Sequence, residues 1–229
     1  NYKRSLKPNM AEQIQDLESL KKDVGTDKVI EAINILFLDI SSACNGYCIA
    51  NVNFTSKKVQ FIKAGAIWLN PDWSHQEKYN YMYHVVCNYF WVVEAIDYIV
   101  VEQYSVNPKK AMGVNVVSEM QGSIKAAAWE NGVKVTSILP QTWRSQLKIK
   151  KNEDKDFKEP TKQYMLTRVT IPEESVSNIT GQARKTPSDL YDAMGIAMGW
   201  LTKLGFDNTK IVFTDMKFND HIGHQLGRD

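Results

Sequence analysis

The chain has 229 residues, 43% hydrophobic and 24% charged, with a formal net charge of +2. That length buries a full core, the composition is that of a soluble globular protein, and so small a net charge does not by itself argue for nucleic-acid binding. No apolar run approaches the roughly 18 residues of a membrane span, and the charged N-terminus has no signal-peptide core. Cys44, Cys48 and Cys87 are odd in number and unpatterned in spacing. They argue for a reducing compartment, and against a disulfide framework or a structural metal.

Residues 1–33 read as a helical extension, with Met10, Ile14, Leu17, Leu20 and Val24 at roughly helical spacing amid balanced charges. The body spans 34–205. Ile35 to Ile40 is a near-continuous apolar run, expected as a strand buried on both faces and ending on Asp39. Ser41 to Gly46 is a turn, Tyr47 to Phe54 a second strand and Val59 to Leu69 a third, giving an antiparallel meander. Ser74 and Glu77 form a capping-box pattern, and a helix is expected from there to about Ala95. Tyr98 to Glu102 is a second apolar strand ending on a carboxylate. A helix is predicted over Ala111 to Glu130, and a third buried strand over Val133 to Leu139. Strands alternating with helices imply a parallel section.

Residues 141–168 hold eight basic side chains against four acidic ones, with few apolar positions. Lys148 to Glu159 is expected as a mobile basic surface loop, able to track a phosphate backbone. Lys148, Lys150 and Lys151 are its candidate DNA contacts. The last helix starts near Thr186, a good N-cap, with Pro187 at the first helical position and Gly205 as its stop. Asp189 and Asp192 stand three apart on one face of it, and Gly195 and Gly199 suggest close approach to another element. The tail, 206–229, is charge-balanced; His221 and His224 read as surface residues.

In α/β sheets, functional groups gather at the carboxyl ends of parallel strands. Asp39, Glu102, Asp189 and Asp192 brought to one such edge would repel one another without counter-charge. Two divalent cations with hard oxygen ligands, Mg²⁺ with Mn²⁺ as a substitute, answer that repulsion and suit in-line phosphoryl displacement. No Gly-rich phosphate loop competes, which disfavours an actin-like ATPase.

Phe37-Leu38-Asp39-Ile40-Ser41-Ser42 with Gly46-Tyr47, then Val100-Val101-Glu102-Gln103, then Ser188-Asp189-Leu190-Tyr191-Asp192-Ala193 resemble the three acidic motifs of RuvC-type Holliday-junction resolvases, in order and at similar separations. These belong to the ribonuclease H-like superfamily. The resemblance implies an α/β fold with a ribonuclease H-like mixed sheet, three antiparallel strands then parallel ones, flanked by helices. It implies Asp39, Glu102, Asp189 and Asp192 as metal ligands. Arg144 and Lys162 match two basic residues that the family uses near scissile DNA. Where the family has a stacking aromatic this chain has Ser105, with Tyr104 beside it, and the spacer from Arg144 to Lys162 is longer.

The expected activity is Mg²⁺-dependent nicking of branched DNA, most of all paired symmetric nicks in four-way junctions. A flap or fork nuclease of the same superfamily is the alternative, and a non-catalytic junction binder gains nothing from an acidic cluster. The partners expected are branched DNA and a second copy of the chain, in a cytoplasmic, nucleoid-associated setting. The helix from Ala111 to Glu130 is the expected dimer element, through Val117, Met120, Ile124 and Trp129, with Gly122, Ala127 and Ala128 allowing close approach.

Overall fold

Three antiparallel strands open the fold: β1 (Ala32–Asp39), β2 (Cys44–Asn53) and β3 (Lys58–Trp68). The computed structural model describes residues 32–92, 94–104, 111–154, 156–207, 211–213 and 216–218, with the backbone alone for 111–115. The helical extension before residue 32, Ser105, His221 and His224 lie outside the described residues. The turn from β1 to β2 is closed by side chains. Ser41 Oγ donates to the Cys44 carbonyl at 2.6 Å, and Asn45 Oδ1 accepts from Ser41 N at 2.8 Å.

On the other side of β1, the short apolar strands β4 (Tyr98–Glu102) and β5 (Lys134–Ile138) add in parallel. β5 is only half-buried along most of its length, because among the described residues it is the last strand of the sheet; the sequence reads it as a buried strand. At the far side, β8 (Ile211–Val212) and β9 (Lys217–Phe218) pair with β3, so the tail adds to the sheet. The seven strands run in the order β5-β4-β1-β2-β3-β8, with β9 also on β3.

Two helical layers cover the sheet. On one face lie α1 (His75–His84), a π-helical segment (Val85–Trp91) and α2 (Ala111–Glu130). The Ser74–Glu77 capping box starts α1, with Ser74 Oγ accepting from Glu77 N and Glu77 returning to Ser74 N. The helix does not run on to Ala95 in α form. Past His84 it widens into the π segment, burying Val85, Val86, Tyr89 and Phe90 together, and Ala95 leaves it with φ +47°.

α2 turns Val117, Met120, Ile124, Ala127 and Ala128 into the chain's own core. These residues cover the monomer's sheet and are not available to a second copy; Trp129, 84% exposed, and Gly122 face outward.

The opposite face carries α3 (Pro140–Gln146), α4 (Lys158–Leu166) and α5 (Ser188–Lys203). The basic stretch is thus two short helices joined by a loop, itself tied by Asn152 N to Asp156 O (3.0 Å) and Asp156 N to Asn152 Oδ1 (2.8 Å). A hairpin, β6 (Glu174–Val176) and β7 (Ala183–Lys185), precedes α5. Thr186 does not cap α5. Its hydroxyl donates to the Pro172 carbonyl at 2.6 Å, tying the hairpin base, and Pro187 takes the cap position without a side-chain bond. Among the described residues no helix is long and apolar enough to cross a membrane.

Candidate active site

Strand periodicity decides which way the acidic residues face. Ile35 and Phe37 of β1 and Val100 of β4 point into the core under α5, so Asp39 and Glu102, two residues further on, share that face. The parallel register Leu38 to Val101 puts the two strand ends level. α5 must then lie low over β2 to bring its carboxylates to the same edge. Gly46 permits this: a Cβ there would stand 1.9 Å from the Asp189 carbonyl oxygen. Asp39 and Asp192 are both only 8% exposed.

The glycine pair of α5 has a definite partner. Cβ atoms at Gly195 and Gly199 would come within 2.7 Å and 2.6 Å of Trp143, which is wholly buried. Seated there, the indole Nε1 donates to Glu102 Oε1 at 2.8 Å. The next residue, Arg144, turns inward. Its Nη2 lies 3.7 Å from Glu102 Oε1 and 3.9 Å from Asp192 Oδ1, and its guanidinium stacks on the rings of Trp143 and Phe157 at 4.5 Å and 4.8 Å.

The four carboxylates respond to one another. Burial pushes the Asp39 carboxyl well up, and the charges of Glu102, Asp192 and Asp189 push it further, against Arg144. Asp192 is raised to about 7, chiefly by burial; Arg144 offsets part of this while Glu102 and Asp189 add to it. Glu102 is raised by burial and pulled back by the Trp143 hydrogen bond and Arg144. Asp189 is raised by burial, and hydrogen bonds from its own backbone, Ser41 and Ser188, with the Lys158 charge, work the other way. So the acidic residues singled out in the sequence do come together.

The remaining candidates are more dispersed. Lys162 Nζ stands 6.0 Å above the ring of Tyr191, between the two α5 carboxylates in sequence. Lys148, Lys150 and Lys151 are exposed, and Lys151 Nζ lies 5.3 Å over Phe157. Tyr104 is partly buried against the α1–α2 core. Sequence reasoning missed Trp143 as the holder of Glu102, Lys158 as a charge felt by Asp189 and Asp192, and the hairpin before α5. Gly195 and Gly199 signalled close approach to another element but not which one.

The donors at this edge are hard oxygens, and Asp192 Oδ1 is buried with no hydrogen-bond partner, an orphan suited to a cation. The residues therefore fit a divalent ion. Among the described residues no three Asp, Glu, His or Cys groups are already closed to ligating distance. Arg144 lies within reach of Glu102 and Asp192 and supplies counter-charge there.

Comparison with solved structures finds the same architecture. Thermus thermophilus RuvC matches with a TM-score of 0.55 at 17% identity, over 76% of this chain and 98% of that one. The fold is ribonuclease H-like, of the RuvC type. Yeast mitochondrial Holliday junction resolvase matches at TM-score 0.51 and 16% identity, covering 84% of this chain and 88% of that one. Fowlpox virus resolvase, solved with its substrate Holliday junction DNA, matches at 0.50 and 15%, covering 75% and 99%. No family model and no curated protein matches the chain. This RuvC-type fold accounts for the mixed sheet and for the strand ends and helix that carry the acidic motifs.

Proposed function

We propose that the chain is a divalent-metal-dependent endonuclease that nicks branched DNA, four-way junctions above all. The observation that carries this reading is the desolvated edge shared by Asp39, Glu102, Asp189 and Asp192, with one buried Asp192 oxygen accepting no hydrogen bond. Such a cluster costs stability and is of use where cations and phosphate meet.

Asp39, Glu102, Asp189 and Asp192 would hold two Mg²⁺ or Mn²⁺ ions, which when bound supply charge neutralisation at the scissile phosphate and lower the pKa of water. The protein's own groups do the rest. Trp143 holds the Glu102 carboxylate in one orientation through its N–H. Arg144, stacked between Trp143 and Phe157, offsets the repulsion of Glu102 and Asp192 and offers guanidinium donors to phosphate oxygens. Lys162, whose Nζ lies over the Tyr191 ring, stabilises negative charge that grows on the phosphate in the transition state. The exposed Lys148, Lys150 and Lys151 follow the arms.

A four-way junction has pseudo-twofold symmetry, so paired nicks call for two copies of a chain with one cluster each. We assign that contact to the open cleft of about 440 Å³ between α1 and α2, whose lining includes Tyr79, Tyr83, Glu119, Gly122 and Ser123.

The test is a nicking assay on labelled junction, flap, fork and linear DNA, with Mg²⁺ titrated from zero. Metal-dependent nicking fastest on the junction supports the reading. Faster cleavage of flaps or forks makes it a broader branched-DNA nuclease, and no cleavage of any DNA with either ion overturns it.

A further inference from the structure

The β6–β7 hairpin is fastened to the active-site edge more firmly than a passing loop requires. Asn178, near its tip, accepts from Trp68 N at 2.6 Å and donates to Trp68 O at 3.0 Å and Tyr81 Oη at 2.9 Å. Trp68 ends β3 and pairs with Cys44, at the same sheet edge as Asp39, whose partner is Gly46. The hairpin is thus locked to the strand ends by a residue 110 positions away.

That anchoring places one cation. Arg184 stacks its guanidinium 5.3 Å over the Trp68 ring and is exposed to solvent. Its cross-strand neighbour is Ser175, whereas the next basic residue, Lys185, sits opposite Glu174. Among the described residues no carboxylate pairs with Arg184. Its charge reaches Cys44, a thiol that burial pushes far up, that Asp189 and Asp39 push further, and that Arg184 opposes. Arg144 sits at the acidic cluster beside Glu102 and Asp192, and Arg184 lies over Trp68 at the end of β3 on the same sheet edge.

We propose that the hairpin 174–185 is a second DNA-contacting element, a wall of the groove over β3 in which Arg184 grips a backbone phosphate other than the one at the cluster. This deepens the nuclease reading and rests on it for the identity of the ligand. A guanidinium stacked on an indole has lost little further freedom when it meets a phosphate, and it presents a planar fork of donors. The exposed Thr180, Gly181 and Gln182 make up the rest of the surface offered to the arm. Asn178 is a positioning residue that acts through the hairpin's attachment.

The test is binding of a fluorescent four-way junction and of linear duplex, from 50 to 200 mM salt without metal, for wild type, Arg184→Ala, Arg184→Lys, Asn178→Ala and the double variant. Arg184→Ala should weaken binding about tenfold and reduce the slope of log K against log salt by about 0.9. Arg184→Lys should restore the slope but only part of the affinity. The Asn178→Ala/Arg184→Ala double variant should lose less than the sum of the two single losses, because Asn178 acts partly through the placement of Arg184. An unchanged slope and affinity in folded Arg184→Ala overturns the proposal; additive losses in the double variant overturn the role of Asn178. Nicking by the wild-type sample, measured in parallel with Mg²⁺, separates the two claims. Nicking with an Arg184-independent salt slope removes the wall alone, and an Arg184-dependent slope without nicking removes only the nuclease.

Discussion

Trp143 and Glu102, 41 residues apart, meet through one hydrogen bond: the indole Nε1 donates to Oε1 at 2.8 Å. The same indole lies against Gly195 of α5, and the Trp143 backbone lies against Gly199 one turn on. One residue therefore sets both the distance of α3 from α5 and the direction of a carboxylate at the site.

Trp143→Phe keeps most of the ring packing and removes the donor. Single-turnover nicking should fall about 10- to 100-fold, the scale of lost second-shell support. Junction affinity and the melting temperature should stay close to wild type. A rate within twofold of wild type would mean that Glu102 is oriented by other groups.

Gly199→Ala tests the packing itself. The added Cβ would lie 2.6 Å from Trp143 Cβ and 2.8 Å from its Cα, and backbone cannot swing aside as a flexible side-chain end can. Overpacking should cost about 1–3 kcal/mol in urea unfolding. At Gly46 the clash is with the Asp189 carbonyl at 1.9 Å, so Gly46→Ala should cost more and lift α5 from β2.

The pH dependence of the metal-free protein follows from Asp192, raised from its ordinary 3.8 to about 7. Between those values the folded chain binds more protons than the unfolded one, so this group's contribution to stability falls as pH rises and levels off above about 7. Asp192→Asn removes that loss. Its melting temperature should gain on wild type by about 5 °C as pH goes from 5 to 8. The reverse trend would mean that Arg144 holds Asp192 ionised.

Charge reversal at Lys148, Lys150 and Lys151 should weaken binding to every DNA alike and flatten its salt dependence, by about 0.9 log units for each lost phosphate contact. An unaltered slope would make these lysines a solvated face only.

Gly122→Arg, placed in the open α1–α2 cleft, should turn a dimer into a monomer in sedimentation equilibrium and replace paired nicks by single ones on a cruciform plasmid. The substitution leaves the core alone, since nothing lies within 4 Å of a Cβ there. Wild-type protein that sediments as a monomer and still makes paired nicks would refute the dimer.

Much of this architecture is written locally. Apolar runs ending on Asp39 and Glu102 specify buried strands with a carboxylate at the tip, because a short continuous apolar run needs no distant partner to be read. Ser74 with Glu77 marks a helix start, since both halves of a capping box lie within four residues. The Ala111 to Glu130 helix has the bounds its pattern predicts.

Other features were settled only by the fold. Apolar residues around α2 do not reveal whether Ile124 meets the chain's own sheet or a second copy; the sheet takes it. The β-strand pattern of Val133 to Leu139 cannot report that, among the described residues, it is the last strand of the sheet. Trp143 on Glu102, Arg144 turned toward Asp192, and Asn178 on Trp68 join residues 41, 48 and 110 positions apart. Periodicity and capping carry information over a few residues. Contacts at those separations depend on which surfaces pack against each other, and here three glycines, Gly46, Gly195 and Gly199, admit the approach that the acidic site requires.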